Sequence, residues 1–206
     1  MKKNIITLFL LSLILSSCNK KAFEMADTTW LTQIYANGIN NGDSIYVEAG
    51  VTLVSFNKDN IFKPDGTVQL MGKGNVFYLI NDDEFGLVAA DGRKVPAVIE
   101  SFSSFKASGT WTVEEDNIIL EWNTDSTEVT GDLGKCINLD EASASEFMLK
   151  YGSVIAQRSA DSHSQVLNVV NEWLKQRSKL TFNEKDEEWD TTVDGQDTPV
   201  LWQMKK

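Results

Sequence analysis

ASGTWTVEEDNIILEW, residues 107–122, decides the fold. Trp111 and Val113 fall on one side of an extended chain, and Ile118, Leu120 and Trp122 fall on a common side after an acidic corner at Glu114–Asn117. A period of two on both arms with a short polar reversal between them predicts a β-hairpin. Ile119 and Glu121 take the other face, so one side of the hairpin meets water and the other a core.

Working towards the N-terminus, the same period recurs in TTWLTQIY (28–35), VTLVSF (51–56), NVFYLI (75–80) and KVPAVIE (94–100). In the first of these Trp30, Thr32 and Ile34 share a face. β-Branched and aromatic residues dominate, as a pleated, half-buried surface favours. NNGD (40–43), PDGT (64–67), MGKG (71–74), NDDE (81–84) and ADGR (90–93) punctuate the segments with turn residues. Pro64 followed by Asp65-Gly66 is the clearest of these reversals. Many short strands without intervening helices predict a mainly β fold, an antiparallel barrel or sandwich.

Beyond Trp122 the pattern changes. Asp140 is a suitable N-cap for EASASEFMLKYG (141–152), in which Phe147, Met148 and Tyr151 cluster at helical spacing and Gly152 stands as a stop. SHSQVLNVVNEWLKQRS (162–178) carries a stripe of Val166, Val170, Trp173 and Leu174, with Lys175 and Arg177 near its C-terminus. These features predict two helices within an excursion from the sheet over Asn123–Lys179. Alternation resumes at KLTF (179–182) and ends in PVLWQMKK (199–206), where Val200, Trp202 and Met204 share a face and predict a paired terminal strand.

The chain opens with Lys2 and Lys3, the apolar run IITLFLLSLIL (5–15), and Ser16-Ser17-Cys18. This is a basic region, a short hydrophobic region and a small-residue cleavage site, shorter than the roughly 20 apolar residues of a membrane-spanning helix. Residues 1–17 are therefore expected to be a signal peptide, 18–27 a tether, and 28–206 one domain. Leu15-Ser16-Ser17-Cys18 resembles the lipobox of bacterial lipoproteins, which implies acyl chains such as palmitate on Cys18 and attachment to the outer membrane. NKKAF (19–23) lacks an acidic run, and the periplasmic face is the expected one. Stable anchoring needs more than one acyl chain.

The formal charge of −11 becomes −13 once Lys2 and Lys3 are removed. That balance argues against nucleic acid as a partner, which demands a basic surface. With Cys18 acylated, Cys136 has no intrachain partner and reads as a small packed hydrophobe. His163 is the only histidine, so a multi-histidine metal site is excluded within one chain. Asp161-Ser162-His163-Ser164 lies at an expected helix start and reads as capping rather than as a triad. Asp82-Asp83-Glu84, Glu114-Glu115-Asp116 and Glu187-Glu188 are turn-borne runs without the spaced geometry of a glycosidase pair. The acidic corner Asp186–Asp197 does not follow EF-hand spacing and reads as a solvated loop. Of the six tryptophans, Trp30, Trp111, Trp122 and Trp202 are expected in the core and Trp173 between helix and sheet. Trp189, flanked by Glu188 and Asp190, is the candidate exposed ligand contact.

TTWLTQIY, IFKPDGTVQL (61–70), GTWTVEEDNIILEW (109–122) and LWQMKK (201–206) together resemble the lipocalin-like small lipoproteins of Bacteroidetes. The resemblance implies an up-and-down antiparallel barrel with a helical insertion before the last strands, and an interior that is either open or plugged. Thr28-Thr29 stands where such chains often carry glycine, and no ligand-binding residue is carried over. The functional expectation is a membrane-anchored, non-enzymatic binding domain for a small apolar or amphipathic ligand in the barrel, or for a protein partner on its rim, without cofactor or metal. The alternatives are a cell-envelope accessory or glycan-capturing lipoprotein with a plugged barrel, and a hydrolase with an unrecognised site.

Overall fold

The computed structural model describes residues 24–40, 43–59, 65–81, 87–88, 92 and 94–203. The expected signal peptide, Cys18, the start of the tether, the turn residues Asn41-Gly42 and Pro64, the run Asp82-Asp83-Glu84, and Met204 lie outside them.

The strands are β1 (Thr28–Thr32), β2 (Tyr35–Asn40), β3 (Asp43–Lys58), β4 (Gly66–Ile80), β5 (Leu87–Val88), β6 (Lys94–Val95), β7 (Ala97–Glu114), β8 (Asn117–Gly131), β9 (Lys135–Cys136), β10 (Lys179–Asn183), β11 (Glu188–Val193) and β12 (Gln196–Leu201). The long helix α1 spans Glu141–Lys175 between β9 and β10. The main sheet runs β1-β3-β4-β7-β8-β10-β11-β12 with antiparallel neighbours throughout. Leu31 and Trp202 then join β1 to the end of β12 by reciprocal backbone hydrogen bonds of 2.9 and 3.1 Å. The result is a nearly closed eight-strand antiparallel barrel with one helix inserted before the last strands, the architecture that the alternation and the helical stripe predict.

Turn chemistry sets the registers. The Trp111 hairpin reverses at Glu114–Asn117 as its sequence predicts, with Glu115 at φ 56°. β11 and β12 meet through Asp194 (φ 51°) and Gly195 (φ 79°), a two-residue loop with positive φ at both positions, which matches the twist of the strands it joins.

β3, β4, β7 and β8 are 15–18 residues long, whereas β1 and β10–β12 are five or six. The long strands therefore outrun the barrel and continue as an open sheet. Irregularities mark the crease: β3 gains a residue on β4 between Ala49 and Thr52, and β8 loops out between Asn123 and Glu128 opposite Lys106–Ser108 of β7. Bulges of this kind bend a sheet and increase its twist.

Two cores follow from the two halves. Trp30, Phe56, Leu70, Trp111, Leu180 and Trp189 belong to the core that fills the barrel. Tyr78, Ile80, Ala97 and Ile99 of the extension form a second core with Phe147 and Ile155 of α1. The helix is about 52 Å long at 1.5 Å per residue, enough to serve both. Its second half sends Val166, Val170, Trp173 and Leu174 into the barrel core. Between the two cores, Ser159 and Ser162 are buried, and the chain at Gly131 and Gly134 comes close to the helix. A Cβ on Gly131 would lie 2.1 Å from His163 Nε2, and one on Gly134 2.6 Å from the Tyr78 hydroxyl.

Three local expectations are corrected. The excursion does not begin at Asn123, because β8 continues to Gly131. Gly152 does not end a helix: its α-carbon faces open space, and α1 runs through it. Glycine in an exposed helix interior costs about 1 kcal/mol, and the buried Phe147 and Ile155 on either side hold the helix together. Finally, Leu201 rather than Trp202 joins Val200 in the core, because a register shift opposite Trp189 and Asp190 changes which residues point inward.

Candidate functional site

The structure separates the residues that the sequence offers as sites. Trp189 is not an exposed contact. It is 2 % exposed, belongs to the barrel core, and meets Phe182 edge-on at 5.1 Å. Its acidic neighbours are consistent with this, since on β11 they alternate to the opposite face.

His163 lies mid-helix, with Nε2 3.5 Å from Ser101 Oγ. Ser101 is fully buried and its hydroxyl donates to the Asp132 carbonyl at 3.2 Å, so it presents no exposed nucleophile to the half-buried His163. Asp161 accepts from Gln157 Nε2 at 3.0 Å. Ser162 and Ser164 donate to the carbonyls of Arg158 and Ala160, four residues back, so they are helix-interior residues rather than caps.

The half-buried Cys136 directs its thiol to Asn138 Oδ1 at 3.5 Å. Asn138 in turn accepts from Val98 N and donates to Pro96 O, which ties the segment after β9 to β7. In the acidic corner, Asn183 Nδ2 bridges Asp186 and Asp190 at 3.2 and 3.0 Å, and Thr192 donates to Asp197. These carboxylates serve turn geometry.

With large side chains packed inside the barrel, a broad concavity among the described residues lies on its outer face, at the crease. The inward series of β4 is buried throughout, from Val68 to Ile80, and Met71 and Lys73 point the other way. Leu53, Met71, Lys106 and Glu128 are cross-strand neighbours in one row, and Lys73, Ser104 and Thr130 are neighbours in the next. Together with Gly72 and Phe105 they line a groove of about 800 Å³. A second hollow of about 310 Å³ shares Met71, Lys106 and Glu128 and runs on towards Gln69, Ser108 and Ser126.

The β8 excursion between Asn123 and Glu128 forms one flank of this second hollow. Ser126 donates to Asn123 O at 2.7 Å and pairs with Ser108 Oγ at 3.0 Å, while Thr127 donates to Asn171 of α1 at 2.7 Å. The flank is thereby tied to the helix. Met71 is 48 % exposed, and its cross-strand neighbour Leu53 is partly exposed beside it, so the two present an apolar strip to solvent. Lys106 Nζ and Glu128 Oε2 meet at 2.8 Å across the groove, with both side chains 61 % exposed. An apolar strip beside a few charged and hydroxyl groups is the composition of a small-molecule site, and the volume falls within the usual range of roughly 300–1,000 Å³.

The groove was not legible in the sequence. MGKG reads as a turn signal, whereas Met71–Gly74 lies inside β4. No family model, curated protein or solved structure matches the chain.

Proposed function

We propose that the protein is a membrane-tethered bacterial lipoprotein whose β-barrel domain is a non-enzymatic binding module for a small amphipathic ligand, held in the outer-face groove. The packed barrel core moves the expected ligand site from the interior to the crease. The observation that carries the reading is the exposed Met71, set beside Leu53 and Phe105 in a groove of about 800 Å³ with lysines at its edge. Binding there removes apolar surface from water at about 25 cal/mol per Å². The short apolar run and Leu15-Ser16-Ser17-Cys18 support a lipid anchor, and with NKKAF after it the periplasmic face of the outer membrane is the proposed location.

Native mass spectrometry of the chain, released from its membrane after exposure to a lipid extract, tests the proposal. A discrete mass increment that disappears in Met71→Asp supports it. An increment unchanged by Met71→Asp refutes the groove as the site, and a bare polypeptide mass throughout refutes small-ligand binding.

A further inference from the structure

Resting on that reading, we infer that the ligand is a single-chain amphiphile with an oxyanion head group, and that Lys73, Ser104 and Thr130 bind the head. The three residues occupy one cross-strand row on the outer face: Lys73 opposes Ser104, and Ser104 opposes Thr130. Directly opposed residues on antiparallel strands stand about 4.5–5.5 Å apart, so one lysine and two hydroxyl side chains line the same end of the groove. Among the described residues Lys73 has no ion-pair partner, and neither hydroxyl has a hydrogen-bond partner. The site thus offers donors of one kind, which an oxyanion satisfies together: the ammonium by a charge-assisted bond and the hydroxyls by ordinary ones.

The neighbouring row supplies the rest of the ligand's chemistry. Leu53 and Met71 give it an apolar stretch, which continues past the Lys106–Glu128 pair into the second hollow. Ion pairs as exposed as this one are weakly held, so the pair yields to a chain lying across it. In a chain of net charge −11, Lys73 beside an apolar strip gives an anionic head a local positive contact. A cationic head would be repelled by Lys73, and a neutral head would forgo the charge-assisted bond. The groove lies along two cross-strand rows and is lined by only a few residues, which suits a monomeric amphiphile rather than a bilayer surface.

The test uses the full chain in isolated membranes, with a photoreactive analogue of dodecanoate whose attachment points are mapped by mass spectrometry. Label is expected on the peptides bearing Met71 and Phe105. Dodecanoate is expected to displace it at about tenfold lower concentration than dodecanol, the advantage of one charge-assisted hydrogen bond. Lys73→Gln should abolish that advantage, and Ser104→Ala with Thr130→Val should reduce it. All three side chains face outward, and unchanged circular dichroism would show that these variants are folded. Equal competition by dodecanoate and dodecanol overturns the anionic head while leaving the groove reading intact. Competition by anionic phospholipid vesicles as strong as by dodecanoate overturns the single-chain source. Absence of label from the groove overturns both this inference and the function on which it rests.

Discussion

The ring of Phe105 occupies the space that a side chain on Gly72 would need: a Cβ built there lies 2.3 Å from Phe105 Cζ and 2.8 Å from Thr52 Oγ1. The two residues are register partners at the crease, Gly72 on β4 and Phe105 on β7. Gly72→Ala should therefore destabilise the protein by roughly 1–3 kcal/mol through overpacking. Urea unfolding would show a lower midpoint at an unchanged slope, and a second change, Phe105→Leu, should restore part of the loss.

Thr32 is buried, and its Oγ1 has no hydrogen-bond partner among the described residues. An unsatisfied buried hydroxyl is a standing cost, and valine has nearly the same shape without it. Thr32→Val is expected to raise stability by about 1 kcal/mol, read as a higher midpoint in thermal or chemical unfolding. A lower midpoint would mean that the hydroxyl is satisfied in solution.

How much of this was legible in the sequence depends on how local the determinant is. The Trp111 hairpin was legible because its alternation and its acidic corner lie within sixteen consecutive residues. Trp173 was correctly assigned to the junction of helix and barrel, since a helical stripe carries its own direction. The continuity of α1 across Gly152 was not, because it depends on burial of Phe147 and Ile155 against strands far away in sequence. Trp189 was misread for the same reason. Glu188 and Asp190 advertise exposure, but on a strand the neighbours of a buried residue point away from it. The groove itself arises from two register shifts, which belong to pairs of strands and to neither strand alone.

Asp140 caps α1, accepting from Ala142 N at 3.1 Å and Ser143 N at 3.0 Å. The Ser143 backbone and hydroxyl bonds hold its carboxyl below the usual carboxylate range. A lowered native value means that the ionised cap contributes stability above the unfolded pKa and loses it as pH falls through the native one. Asp140→Ala should accordingly be less stable than the parent at neutral pH, and the gap should close on acidification. Helicity followed by circular dichroism across an acid titration checks this; a gap independent of pH would rule out the charged cap.

Tyr78 joins sheet to helix: its hydroxyl lies 3.2 Å from the Ile155 carbonyl and 3.1 Å from Ser159 Oγ. Burial pushes its phenol above the ordinary value of 10.0, with the Ser159 bond and Arg158 opposing. Below 10.0 both states are protonated and this contribution is complete. As pH rises further the unfolded phenol ionises first, and the contribution is lost as pH passes through the raised native value. Tyr78→Phe should cost about 1 kcal/mol at neutral pH for the lost hydrogen bonding. The variant should also show a shallower alkaline decline in unfolding free energy; an identical decline would assign the pH dependence to other groups.

Among the described residues, Leu31 and Trp202 alone join β1 to the end of β12, whereas β4 and β7 are paired along fifteen consecutive positions. The ring is thus fastened by a clasp rather than woven shut. Local opening starts where cross-strand bonding is thinnest, so the amide hydrogens of Leu31 and Trp202 should exchange long before those of the β4–β7 ladder. Because Met25 is buried in the barrel core and Asp27 accepts from Lys58 N just ahead of β1, a pull from that end loads these contacts and then the clasp, and the hoop can spring there while the long strands, the helix and the outer groove keep their shape.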